Sequence, residues 1–148
     1  EVAVGRMLKQ LPLQRIAYNA IPSVVYTNPE IACVGLTEKD LNEIHEGDFA
    51  PSMSTDEPFV PYEVHQLPMT YSGRFVAENE GEMGLCKVIV DKRSKTVMGV
   101  HMIGNPCSEF VAAASFAVRM GYTVGEFKQV VFPHPTVAEV MREVIMEA

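Results

Sequence analysis

Leu85-Cys-Lys-Val-Ile-Val-Asp91, Lys92-Arg-Ser-Lys-Thr96 and Val97-Met-Gly-Val-His-Met-Ile-Gly104 follow one another without a break. The first run alternates apolar and polar residues at its start and then turns apolar, and the third is a second strand-like run. The polar connector between them is too short for a crossover. The two runs therefore pair as an antiparallel hairpin, and the sheet built on them is antiparallel.

On the N-terminal side, Ile21-Pro-Ser-Val-Val-Tyr-Thr27 and Ile31-Ala-Cys-Val-Gly35 read as strands, separated by Asn28-Pro29. Val64 to Thr70 reads as another. Thr37-Glu-Lys-Asp40 is a capping signature that predicts a short helix to about Ile44. Residues 46–62 collect Gly47, Pro51, Pro58, Pro61 and several acids, which predicts a long loop. Residues 1–11 carry Val4, Met7, Leu8 and Leu11 at helical spacing, as the tail of an amphipathic helix already under way.

On the C-terminal side the pattern changes to helix after Asn105-Pro106. Residues 107–120 are apolar almost all round, with Glu109 and Arg119 as the charges. Such a helix is either a central core helix or one that also faces a second subunit. Gly121 stops it. Thr123-x-x-Glu126 opens a short helix to about Val131, and Pro133 ends that. Thr136-x-x-Glu139 opens the last helix, whose apolar stripe is Val137, Val140, Met141, Val144 and Ile145. Strands precede helices, which predicts an α+β domain: an antiparallel sheet with helices packed on one side.

The chain has 148 residues, 47% of them hydrophobic, enough to bury a core without disulfides or metals. A net charge of −7 and the lack of any Lys/Arg run argue against nucleic acid or an anionic membrane as partner. No apolar run approaches the roughly 20 residues of a membrane span. The three cysteines, Cys33, Cys86 and Cys107, are scattered and odd in number, which suits free thiols in a reducing compartment, cytoplasmic in a bacterium. Cys107 reads first as a small buried residue; the alternative is a functional thiol in the first turn of a helix, where a thiolate is favoured.

No nucleotide-binding, nucleophile-elbow or zincin motif is present, and His45, His65, His101 and His134 lack metal-ligand spacing, so no metal site is expected. His65 and His101 fall in predicted strands. His134 differs in its frame, His134-Pro-Thr-Val-Ala-Glu139, with Pro133 before it. The prolines restrict the backbone, and His134-Pro135 is a candidate cis peptide. A carboxylate on one ring nitrogen would fix the tautomer and make the imidazole an oriented acid/base. Glu139 has two readings on this pattern: that orienting partner, or the last member of a capping box like those at Thr37 and Thr123.

Ile21 to Glu38, Arg74 with the Glu78–Gly84 turn, the Leu85–Gly104 hairpin, Glu109–Gly121 and His134-Pro-Thr-x-x-Glu139 with Arg142-Glu143 together resemble a known family. They are similar to the C-terminal dimerisation domain of the flavin-dependent pyridine nucleotide–disulfide oxidoreductases, in particular the dihydrolipoamide dehydrogenase branch. The resemblance implies that residues 1–20 are a remnant of the preceding FAD-domain helix and linker, and 21–148 the dimerisation domain. It implies a homodimer in which His134 and Glu139 complete the partner subunit's active site. The parent would use FAD and NAD to oxidise dihydrolipoamide, free or on a lipoyl-bearing protein. His134 would deprotonate the dithiol and stabilise a thiolate of the enzyme's cysteine pair. The cofactor-binding residues would lie outside this chain, which alone would bind none and be inactive. Two features depart from the family: Phe132 stands where lipoamide enzymes commonly carry a second histidine, and Asp48–Pro61 is longer than usual. The alternatives are a related reductase with another thiol substrate, such as glutathione or a bacillithiol-like thiol, and a stand-alone α+β module without redox chemistry. Pro29-Glu30 and Arg142-Glu143 argue against the glutathione branch.

Overall fold

The β4–β5 hairpin, Leu85–Asp91 and Val97–Ile103, lies inside a five-stranded antiparallel sheet of order β1-β2-β5-β4-β3. A computed structural model describes residues 2–7, 16–46 and 61–148 of the chain. The other strands are β1 (Ser23–Val25), β2 (Ile31–Gly35) and β3 (Tyr62–Pro68). The helices are α1 (Val2–Met7), α2 (Glu38–Glu46), α3 (Gly73–Glu78), α4 (Cys107–Met120), α5 (Val124–Phe127) and α6 (Glu139–Met146).

The hairpin turn is tied by its own first residue. Asp91 accepts hydrogen bonds from the N–H groups of Arg93 and Ser94, at 2.7 and 2.8 Å, while Lys95 takes the left-handed conformation. The alternation read in β4 sorts its side chains as expected. Cys86, Val88 and Val90 face the main core, together with Val100 and Met102 of β5. Lys87 and Ile89 point to the other face, and Ile89 is nonetheless fully buried. The reason is Leu36 and the start of α2, which cross that second face. His101 Nε2 lies 3.0 Å from the Leu36 carbonyl, Glu38 pairs with Lys87, and a Cβ on Gly99 would come within 2.2 Å of the Leu36 oxygen. Only glycine permits that approach.

Helix α4 lies over β2 and β5, and α6 over β3 and β4, closing one face of the sheet. Ala114 and Ala117 of α4 are completely buried and let its backbone come close to the strands. The apolar stripe of the last helix is buried throughout, from Val137 to Ile145. Side chains of that size contribute about 1.5–3 kcal/mol each when fully buried. Gly121 ends α4 in the left-handed conformation at φ 67°. The α+β architecture is thus as expected from the sequence.

Several boundaries differ. Helix α5 ends at Phe127 rather than near Val131, and Phe132 turns back onto Phe127. Strand β3 spans Tyr62–Pro68 rather than Val64 to Thr70. A further helix, α3, follows it. The helix expected over residues 1–11 is described only as Val2–Met7, and the long loop, apart from Glu46, Pro61 and Tyr62, lies outside the described residues. Helix α4 is not buried all round: Phe116 and Met120 are 67% and 65% exposed, in one row with exposed Ala112.

Pro106 cannot cap α4 with a side chain, and a distant residue does so instead. Glu30 Oε2 accepts from the Ser108 N–H at 3.0 Å, while the Glu30 backbone bonds Gly104 N–H and the Asn105 side chain, both at 2.9 Å. Glu30 therefore locks the start of β2 to the β5–α4 junction. Glu30→Ala is expected to destabilise the chain by about 1 kcal/mol, the usual cost of a lost helix cap. Urea unfolding monitored by circular dichroism measures it.

Candidate functional site

The loop between α5 and α6 carries His134 and is anchored from beneath. The Phe132 ring packs on the core and meets Phe127 at a centroid distance of 5.9 Å, and Val137 is buried two residues before α6 begins. Ser72, itself buried, donates its hydroxyl to the Thr136 carbonyl at 2.9 Å. Between these anchors the His134–Pro135 peptide is cis, as are Asn28–Pro29 and Asn105–Pro106.

His134 Nδ1 lies 2.9 Å from Glu139 Oε1, and Glu139 Oε2 accepts the Thr136 N–H at 2.7 Å. One carboxylate thus occupies both roles left open by the sequence. A comparison with the chain's other boxes shows how. At Thr123 the hydroxyl accepts from Glu126 N–H, and Glu126 Oε2 takes both the Thr123 N–H and the hydroxyl, at 2.9 and 2.8 Å. Thr37 and Asp40 repeat that closed arrangement. At Thr136 the hydroxyl instead donates to the Pro133 carbonyl at 2.8 Å. Only the carboxylate half of the box forms, the helix starts without a side-chain cap at Ala138, and the oxygen that the threonine leaves unused in the other boxes here meets the imidazole.

The electrostatics follow. The Thr136 N–H does most to hold the Glu139 carboxyl below its ordinary value; burial opposes it, and the His134 imidazole adds to the lowering. An ionised carboxylate only accepts hydrogen bonds, so Nδ1 carries the hydrogen of the neutral ring and Nε2 is left as the basic nitrogen. The His134 side chain is 83% exposed and that of Glu139 only 20%. Nε2 therefore sits on a ring held from its buried side and open on the other. This arrangement can take up and return a proton at Nε2.

The remaining histidines are not brought to this site. His101 bonds the Leu36 carbonyl, and His65 Nε2 is buried on β3, 3.6 Å from Glu63 Oε2. The side chain of His45 lies outside the described residues. Among the described residues no cluster of His, Cys, Asp or Glu is suited to a metal ion. Two concavities, one over Ile31, Leu85 and Ile103 and one beside Glu78 and Glu82, lie elsewhere. Ser72 was not singled out from the sequence. A serine directly before Gly73-Arg-Phe-Val-Ala-Glu78 is a helix-cap signal, and it could have been found as one.

Of the two readings of Cys107, the structure gives the small buried residue. It stands at the start of α4 but is completely buried, and burial, with the Glu30 carboxylate as a lesser cause, pushes its thiol up to about 11. Cys86 is pushed up to about 12, again by burial. Neither is a thiolate near neutral pH.

A five-stranded antiparallel sheet with two covering helices defines an α+β domain that presents an exposed imidazole, hydrogen-bonded to a carboxylate, at its surface. The sequence profile described as "Pyridine nucleotide-disulphide oxidoreductase, dimerisation domain" matches residues 21–145, and the chain belongs to that family. It is 36% identical over 133 residues to the mitochondrial dihydrolipoyl dehydrogenase of Caenorhabditis elegans, covering 90% of this chain and 24% of that protein. It is 35% identical over 124 residues to the dihydrolipoyl dehydrogenase of Haloferax volcanii, covering 84% and 23%. The chain therefore spans about a quarter of the length of these relatives. Among solved structures, LpdA from Mycobacterium tuberculosis superposes with a TM-score of 0.79 at 21% identity, over 98% of this chain and 28% of that one. The HOCl-induced flavoprotein disulfide reductase RclA from Escherichia coli superposes with a TM-score of 0.76 at 18% identity, over 97% and 30%. No helix among the described residues is long and apolar enough to cross a membrane.

In the native chain at pH 8, an aromatic disulfide reagent is expected to label Cys33, which is part-exposed, and to reach Cys86 and Cys107 only after denaturant is added. Mass spectrometry of the labelled peptides checks this.

Proposed function

We propose that this chain is the dimerisation domain of a flavin-dependent dihydrolipoamide dehydrogenase, with His134 as acid/base and Glu139 as its orienting partner. The observation that carries the reading is the divided Glu139 carboxylate, one oxygen on the Thr136 N–H and the other on His134 Nδ1. In the resting state Nε2 is the proton acceptor. It removes a proton from a substrate dithiol, whose thiols are mostly protonated near neutral pH, and the resulting thiolate is the nucleophile for exchange with the enzyme's own disulfide. Glu139 stays ionised and stabilises the imidazolium that forms.

FAD and NAD belong to the parent on this reading. The sheet described here is antiparallel throughout and offers no glycine-rich strand-to-helix turn to cradle a pyrophosphate, so no residue of this chain is assigned to either. Residues 1–20 are read as the end of the preceding FAD domain and its linker, and the isolated chain as inactive. Its partner is a second copy, which receives the exposed Ala112–Phe116–Met120 row of α4 and whose active site His134 completes. Dihydrolipoamide or a lipoyl-bearing protein is the substrate, and a reducing compartment the setting, cytoplasmic in a bacterium. A second reading, the same domain with another thiol substrate, is favoured by Phe132. Its ring is packed inward where a lipoamide enzyme commonly has a histidine.

In the full-length parent, His134→Gln is expected to lower dihydrolipoamide turnover by roughly 10²–10⁴-fold, the usual worth of acid/base catalysis, while NADH-to-dye electron transfer largely survives. Steady-state assay of both activities decides it; equal loss of both would point to a folding defect, and an inactive parent with dihydrolipoamide would favour the second reading. Phe116→Glu places a charge in the proposed interface and is expected to shift the chain from dimer toward monomer, measured by sedimentation velocity across a concentration series.

A further inference from the structure

We infer that Ser72 is a positioning residue for the His134–Glu139 pair: its buried hydroxyl fixes Thr136, and Thr136 in turn aims the Glu139 carboxylate. Ser72 is 2% exposed and lies far from His134 in sequence, between a single 3-10 turn at Met69–Tyr71 and helix α3. Its hydroxyl has two partners. It accepts from the Phe75 N–H at 3.2 Å, as the N-cap of α3, and its single hydrogen goes to the Thr136 carbonyl at 2.9 Å. A hydroxyl with one hydrogen can donate in one direction only, so the cap's acceptance from Phe75 leaves that hydrogen directed at Thr136.

Ser72 is itself held by structure unrelated to the loop. Its N–H bonds the Met69 carbonyl and its carbonyl accepts the Val76 N–H, at 2.9 and 3.2 Å. Met69 and Phe75 on either side are completely buried. The anchor is therefore rigid core, and the anchored residue is half-buried loop. Thr136 is gripped at three atoms: its carbonyl by Ser72, its hydroxyl on Pro133, and its N–H on Glu139 Oε2. The Thr136 N–H is also the largest influence holding the Glu139 carboxyl down. Freeing the carbonyl end loosens the residue whose N–H aims the carboxylate. The Thr123 and Thr37 boxes need no such anchor, because there the threonine hydroxyl closes the box itself. At Thr136 the hydroxyl is turned away, and Ser72 supplies the missing restraint from outside the loop.

The catalytic meaning of this anchor rests on the acid/base reading of His134, but its test does not. The Glu139 side-chain carboxyl is titrated by carbon-13 NMR in the 148-residue chain, with no substrate present. With Ser72 in place its midpoint is expected below that of an ordinary glutamate. Ser72→Ala and Ser72→Gly are both expected to raise it toward the ordinary value. Glycine is tolerated as a helix cap and so removes the hydroxyl with little loss of the cap. Ser72→Thr, which restores a hydroxyl, is expected to bring the midpoint back down. Thr123→Ala removes a comparable cap, bonded to Glu126 rather than to Thr136 or Glu139, and is expected to leave it where it was. The inference is overturned if both Ser72 variants leave the Glu139 midpoint unchanged, or if Thr123→Ala moves it as far. Either result is independent of the dithiol assay, so failure of the anchor and failure of the acid/base role are told apart.

Discussion

Closing one face of an antiparallel sheet beneath two helices is the constraint on which everything else in this domain depends. Val88, Val100 and Met102 from the central strands meet Ala114, Ala117, Val140 and Val144 from α4 and α6 in one apolar layer. The layer is non-directional, and it leaves the ends of the helices to be fixed by polar contacts. Those contacts are individually small but placed at the junctions: Glu30 at the start of α4, the Thr123–Glu126 box at the start of α5, and Ser72 beneath the loop before α6. The position of His134 follows from this order of events. Its loop joins two helices already set by the core, and the loop's own anchors fall on the same side.

The second lesson concerns one carboxylate. A capping glutamate and a base-orienting glutamate are usually treated as alternatives, since a single hydrogen bond cannot do both. Glu139 has two oxygens, and the local geometry separates them. The other threonine boxes engage one carboxylate oxygen alone; here Oε2 takes the Thr136 N–H, the threonine hydroxyl goes to the Pro133 carbonyl, and Oε1 meets the imidazole. The same anion that starts the helix therefore sets the tautomer of His134.

Much of this was legible in the sequence, because the features involved are local. Strand alternation, a short polar connector, a helical apolar stripe and the His-Pro-Thr-x-x-Glu spacing all act over a few residues. What was missed depends on pairings between distant segments. Glu30 caps a helix that begins at Cys107, and Ser72 bonds Thr136; no periodicity encodes either contact. Thr123-x-x-Glu126 marks where α5 starts but not where it stops: it ends at Phe127, and Val131 is 89% exposed. Cys107 was open to a thiolate reading on helix position alone. Burial outweighs the helix terminus there, and burial is a property of the assembled core.

The same burial has a bearing on the chemistry that the family carries out. Thiol–disulfide exchange proceeds through thiolates, and any accessible thiolate can be drawn into it. Cys86 and Cys107 lie inside the layer between sheet and α4, with their thiols held protonated far above neutral pH. The fold thereby insulates its own sulfur and keeps these two cysteines out of such exchange.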